Sequence, residues 1–302
     1  MCLALLMPLQ ASANQLYYNK QHLGGDIKFY YKWQDNKRNV QKLNFALPAY
    51  AVDDGAKEFK PINNQDVKNY IFKGIKKYIS QKGYRIDVVR NYESFDFRSD
   101  GRITRASFNA QVDNVQQQIP RLEKQFFKER MYTVYGNNFM PNHKAIAKKY
   151  VSAMRPVASA MSANINTKNS RELVNYVLNF MQSIPYDILK NRYSSNGAGF
   201  QTPYGLLLGN RGDCDTKSVA AAAILRNFFP RQRIIMVYVP GHAFVGFNFR
   251  NPRSSDEILR IGGTDFILAE PVGPRLASLG TIAESSKALL RSGKYSYQEV
   301  PF

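Results

Sequence analysis

Three side chains capable of acyl chemistry stand at the ends of apolar runs in the second half of the chain: Cys214 in "NRGDCDTKSVAAAAILRNFF", His242 in "VPGHAFVGFNF" and Glu270 in "DFILAEPV". A deprotonated thiol is a nucleophile, an imidazole can take the thiol proton near neutral pH, and a carboxylate can fix the imidazole's tautomer and orientation. Together they would attack an acyl carbon and form a thioacyl intermediate. Asp265, at the far end of the Glu270 run, and Asp256, in the polar loop "NPRSSDE", are rival carboxylates for the orienting role. The structural alternatives are a buried inert thiol and a histidine that merely closes a turn.

The elements that must position these groups are legible around them. Gly209 and Gly212 permit a tight turn, and residues 216–228 with four successive alanines form a strong helical run, so Cys214 falls in a first helical turn. Unpaired N–H groups there favour a thiolate and can receive an oxyanion. Asp213 and Asp215 oppose the thiolate by their charge, although Asp213 also suits an N-cap. The expectation is that the helix start and His242 win and that the thiol pKa is depressed. His242 follows "RIIMVYVPG" and opens a second β-branched and aromatic run, the pattern of a hairpin with the histidine at its turn. The other two histidines, His22 and His143, have no comparable setting.

The segments "RGDCDTKSVAAAAIL", "GHAFVGFNF" and "FILAEPVGP", in this order, resemble the bacterial transglutaminase-like superfamily over residues 171–274. The resemblance implies an α+β fold with a papain-like, transglutaminase-like core, in which the cysteine begins a central helix packed on an antiparallel sheet. It makes Cys214 the nucleophile, His242 the base and Glu270 the acid, where the family often has aspartate in a "D-P-T" context. "FMQSIPY" and "QTPYGLL" are similar to the family's segments ahead of the nucleophile and make Gln182 a candidate oxyanion donor, with a glutamine on an ordinary polar helix face as the alternative. The implied activity is that of a cysteine hydrolase, a peptidase or amidase, acting on a protein or peptide substrate. An amine-accepting cross-linking transglutaminase and a non-catalytic envelope-binding scaffold are the alternatives.

Composition bounds the rest. With 302 residues, 44% hydrophobic and 22% charged, the chain suits two soluble globular domains. "LALLMPL" followed by "ASA" reads as a signal peptide over residues 1–13, which points to a periplasmic or secreted protein and leaves Cys214 as the only thiol once Cys2 departs. Residues 14–165 read as a basic N-terminal α/β and helical region and 166–302 as the catalytic domain. Residues 1–169 hold 27 of the 42 Lys and Arg but only 13 of the 23 Asp and Glu, so the basicity of the chain, +19 overall, is concentrated there. In an exported protein such a surface suits an anionic envelope polymer or membrane surface; without an RNA-binding, zinc-finger or helix-turn-helix signature, nucleic acid is disfavoured. Three histidines and one mature cysteine form no ligand-spaced cluster, and no phosphate-binding glycine loop is present, so neither metal nor cofactor is expected. Strands are expected at "IKFYYKW", "QKLNFALP", "YRIDVVR" and "YESFDFRS". Helices are expected over about 65–81, over 109–132 with a break near Pro120, and in "NHKAIAKKYVSAMRPVASAM".

Overall fold

The computed structural model describes residues 14–91, 94–136, 138–165, 167, 169–191 and 197–302; the expected leader over 1–13, with Cys2, lies outside them. Within that span the chain is α+β, with helices and antiparallel sheets. It divides into two compact units, residues 14–59 with 143–302, and Lys60–Asn142. The expected division at 165/166 is therefore not where the chain separates. The middle of the expected N-terminal region forms a unit of its own, and its two flanks belong with Cys214.

The first unit opens with a three-stranded antiparallel sheet of β1 (Gln15–Leu23), β2 (Asp26–Gln34) and β3 (Val40–Pro48), in that order. Strand β2 alternates strictly, burying Ile27, Phe29, Tyr31 and Trp33, and β3 matches it with Leu43, Phe45 and Leu47. Phe29 pairs with Phe45 in register, and their rings stack 5.2 Å apart. Strand β1 carries no strand signal of its own, because Leu16, Tyr17 and Leu23 are exposed and pairing with β2 makes the segment a strand. Helix α1 (Ala49–Glu58) follows.

The second unit comprises α2 (Asn64–Lys82), β4 (Ile86–Arg90), β5 (Phe95–Ser99), α3 (Arg105–Gln116), α4 (Ile119–Glu129), β6 (Tyr132–Tyr135) and β7 (Asn138–Pro141). An Asn63–Asp66 capping box starts α2, and Gly83, at φ 65°, ends it. Val67, Ile71, Ile75 and Ile79 recur every fourth residue and form its buried stripe. The break expected near Pro120 falls where α3 ends and α4 restarts, with the proline in the new first turn.

The first unit resumes with α5 (His143–Tyr150), α6 (Arg155–Asn164), α7 (Ser170–Ser183), α8 (Pro203–Gly209) and α9 (Cys214–Phe228). The single helix expected across 142–161 is two, because Pro156 cannot continue α5 and instead begins α6. Then come β8 (Ile234–Val239), β9 (His242–Phe247), β10 (Ile258–Ile261), β11 (Thr264–Ala269), α10 (Glu284–Arg291) and β12 (Ser296–Val300). These five strands form one antiparallel sheet in the order β10-β11-β9-β8-β12. Ile235, Val237, Phe244, Phe266 and Leu268 share one buried cluster with Ile282, and Leu289 and Leu290 of α10 pack on it. Helix α9 packs against β8 and β9 as well as α5, α6, α7 and α8, and its residues from Val219 to Leu225 are buried all round. Four successive alanines let that many neighbours approach one helix. Phe180 of α7 lies 4.9 Å from Tyr31 and 5.4 Å from Trp33, ring centre to ring centre, which joins the N-terminal sheet to the same core.

Candidate active site

The nucleophile candidate is held by local chemistry first. Asp213 caps α9, its carboxylate accepting the Thr216 N–H at 2.9 Å. Gly212 is required by packing, since a Cβ there would lie 2.6 Å from Leu206 Cδ1. Cys214 therefore begins α9 with its side chain nearly buried. Its sulfur receives the backbone N–H of Ala243, the residue after His242. One turn further along α9, the Ser218 hydroxyl donates to the Ala243 carbonyl at 3.3 Å. The start of the helix is thus fastened to the start of β9.

Val239 pairs with His242 across the Pro240-Gly241 turn, where Gly241 takes φ 77°, and the imidazole stands at the sheet end next to α9. Ala269 pairs with Val245, so Glu270, one residue past β11, emerges at that same end. His242 Nε2 makes a direct hydrogen bond with Glu270 Oε1. The other carboxylate oxygen, Oε2, accepts the Ala283 N–H at 3.0 Å. With Nε2 committed to Glu270, Nδ1 is the ring nitrogen left for a thiol. The rival carboxylates are engaged elsewhere: Asp265 with Arg260 at 2.6 Å and Asp256 with Arg171 at 2.6 Å.

Gln182 does not have the role that the resemblance implied. It is fully buried, and its Nε2 donates to the Glu270 carbonyl at 2.7 Å and to the Ala277 carbonyl at 2.8 Å. Both amide protons are engaged, leaving none for an oxyanion; the residue braces the corner that presents Glu270.

The electrostatics also reverse an expectation. Burial pushes the Cys214 thiol up to about 12, Asp215 and Asp213 add to the rise, and the Ala243 and Asp215 N–H groups only partly oppose it. The two aspartates cannot both turn to water, because Asp213 is buried as the cap and Asp215 Oδ1 accepts the thiol proton at 3.8 Å. Cys214 is therefore a protonated thiol near neutral pH. Burial, followed by the charge of Asp215, also raises Asp213, and burial lowers Lys217, which is wholly enclosed and donates to the Ile184 carbonyl.

Two neighbours carried no recognisable signal in the sequence. His143, fully buried at the start of α5, puts Nε2 3.7 Å from Asp215 Oδ2 and Nδ1 3.1 Å from the Tyr238 hydroxyl. Burial lowers its pKa, against the pull of Asp215, and its Nε2 has no hydrogen-bond partner. Tyr186 is half exposed on the extended segment that bridges to Gly212. Burial pushes its phenol up to about 12, and the charges of Cys214, Asp213, Asp215 and Asp187 act in the same direction.

Among the described residues no group of His, Cys, Asp and Glu is arranged to hold a metal ion, and no helix is long and apolar enough to cross a membrane. Comparison of the chain with protein-family models, with curated proteins and with solved structures finds no match.

Proposed function

We propose that the chain is an exported cysteine hydrolase of the transglutaminase-like type, a peptidase or amidase that acts through a thioacyl intermediate on Cys214. The observation that carries the reading is the His242–Glu270 hydrogen bond at the sheet end where the Cys214 sulfur meets the Ala243 N–H. The packing of α9, which Cys214 begins, on β8 and β9 of an antiparallel sheet supports the core that the resemblance implies.

In this reading His242 Nδ1 takes the thiol proton as the substrate carbonyl arrives, since the resting thiol is not ionised. The sulfur bonds to the carbonyl carbon, and the Cys214 N–H at the open end of α9 faces the developing oxyanion. The C–N bond then breaks, the amine leaves with the proton held by His242, and a thioester remains. Water, deprotonated by the same imidazole, attacks the thioester and returns the thiol. Glu270 keeps Nε2 occupied throughout and stabilises the imidazolium. The preference for water over an amine acceptor rests on the family resemblance.

The basic surface is assigned to an anionic envelope polymer or membrane surface that holds the enzyme near a protein or peptide substrate. The test of the hydrolase reading is exposure of the protein to an envelope extract, followed by mass spectrometry of the Cys214 peptide. An acyl adduct that is absent from Cys214→Ala supports the reading, and an unmodified thiol after prolonged exposure contradicts it.

A further inference from the structure

Asp215 is a partly buried carboxylate beside the Cys214 thiol, and it lacks the cationic partner that several carboxylates of its unit have. Asp187 pairs with Arg211, Asp256 with Arg171 and Glu299 with Arg233. Asp215, whose side chain is 29% exposed, has no Lys or Arg at ion-pair distance among the described residues of a chain that carries +19. Its one basic neighbour is His143, at 3.7 Å and not hydrogen-bonded to it, in a buried setting that favours the neutral ring. That buried Nε2, without a partner of its own, points at the carboxylate. The other oxygen of Asp215 lies 3.8 Å from Cys214 Sγ, and the half-exposed Tyr186 belongs to the segment that bridges to Gly212, two residues before the thiol.

We infer that Asp215 is the seat for a cationic group of the substrate, a lysine or arginine side chain within about one residue of the amide that Cys214 attacks. The inference rests on the reading of Cys214 as the nucleophile and adds the substrate class. A partly exposed carboxylate without a cation of its own attracts an ammonium or guanidinium. The same contact would release the nucleophile. Asp215 opposes thiolate formation while it is unpaired, and a cation bound to it removes that opposition only when substrate is present.

Methanethiosulfonates that differ in charge test this without a known substrate. Second-order rates of modification at Cys214 are compared for the neutral methyl, the cationic trimethylammonium-ethyl and the anionic sulfonato-ethyl reagents, each normalised to free cysteine, with the rate of Cys214→Ala subtracted. The overall +19 charge favours the anion. The inference predicts the reverse, a cation preference of about three- to tenfold that rising salt compresses. Asp215→Asn should abolish the preference and Asp187→Asn, whose carboxylate is already paired with Arg211, should keep it. If Asp215→Asn does not fold, salt compression in the native chain carries the test alone. Equal rates for the two charged reagents, or a preference that survives in Asp215→Asn, overturn the inference and leave the nucleophile standing. No modification by the neutral reagent overturns the nucleophile and the inference together.

Discussion

Gln182 of α7 donates to the backbone carbonyl of Glu270 at 2.7 Å, and the Glu270 carboxylate holds His242, so a helix outside the sheet that carries His242 fixes the corner from which Glu270 reaches the imidazole. The same amide holds Ala277, on the other side of the loop that leaves β11. Gln182→Ala should leave two buried carbonyls without donors and a small cavity, at a cost of about 2–4 kcal/mol in a urea unfolding measurement. A loss below about 0.5 kcal/mol would show that the brace is not structural.

His242→Ala and Glu270→Gln should separate base from orienter. Loss of the imidazole removes the proton acceptor and should slow acylation of Cys214 by about 10²–10⁴-fold. Glu270→Gln keeps the volume and an oxygen for the Ala283 N–H but loses the charge that stabilises the imidazolium, and its rate should fall between those of the native chain and His242→Ala. Stopped-flow acylation by an activated ester reads both variants; equal rates for native and Glu270→Gln would remove Glu270 from the site.

The pH dependence of the thiol follows from its setting. Burial raises the Cys214 pKa first, and the carboxylate of Asp215 raises it further because a negative charge disfavours a thiolate. Asp215→Asn removes that charge, so the alkaline limb of the iodoacetamide rate profile should move down by about one pH unit. A limb that stays in place or moves up would contradict the assignment.

How much of this was legible in the sequence depended on how local the cause was. The Asp213 cap, the helix opened by Cys214 and the hairpin that ends in His242 are set by residues within one turn of themselves, and the chain spells them out. Glu270 was reachable because it terminates an apolar run. The role of Gln182 was not, since its partners Glu270 and Ala277 are brought to it by the path of the loop after β11. The approach of His143 to Asp215 is created by α5 packing on α9, and no spacing in the sequence encodes it. The direction of the thiol shift was missed because burial is a property of the folded core and here outweighs the helix start. The division into units was missed because the aromatic side chains of β2 meet Phe180 across a long stretch of intervening sequence.

Attachment to an anionic surface makes a separate prediction. Sedimentation of the full chain with vesicles containing phosphatidylglycerol should be strong at low salt and fall steeply as the ionic strength rises through the physiological range, where screening acts over about 8 Å. Vesicles of phosphatidylcholine alone should not bind. Equal binding to both would mean that the basic surface serves solvation only.

Whether Cys214 becomes acylated with His242 as its base is read out by p-nitrophenyl acetate. The native chain should release p-nitrophenolate in a burst of about one equivalent, with the acetyl group found by mass spectrometry on Cys214. That burst should vanish in Cys214→Ala and slow at least 10²-fold in His242→Ala. An acetyl group found elsewhere would rule out Cys214 as the nucleophile, and a burst that His242→Ala leaves unchanged would rule out His242 as its base.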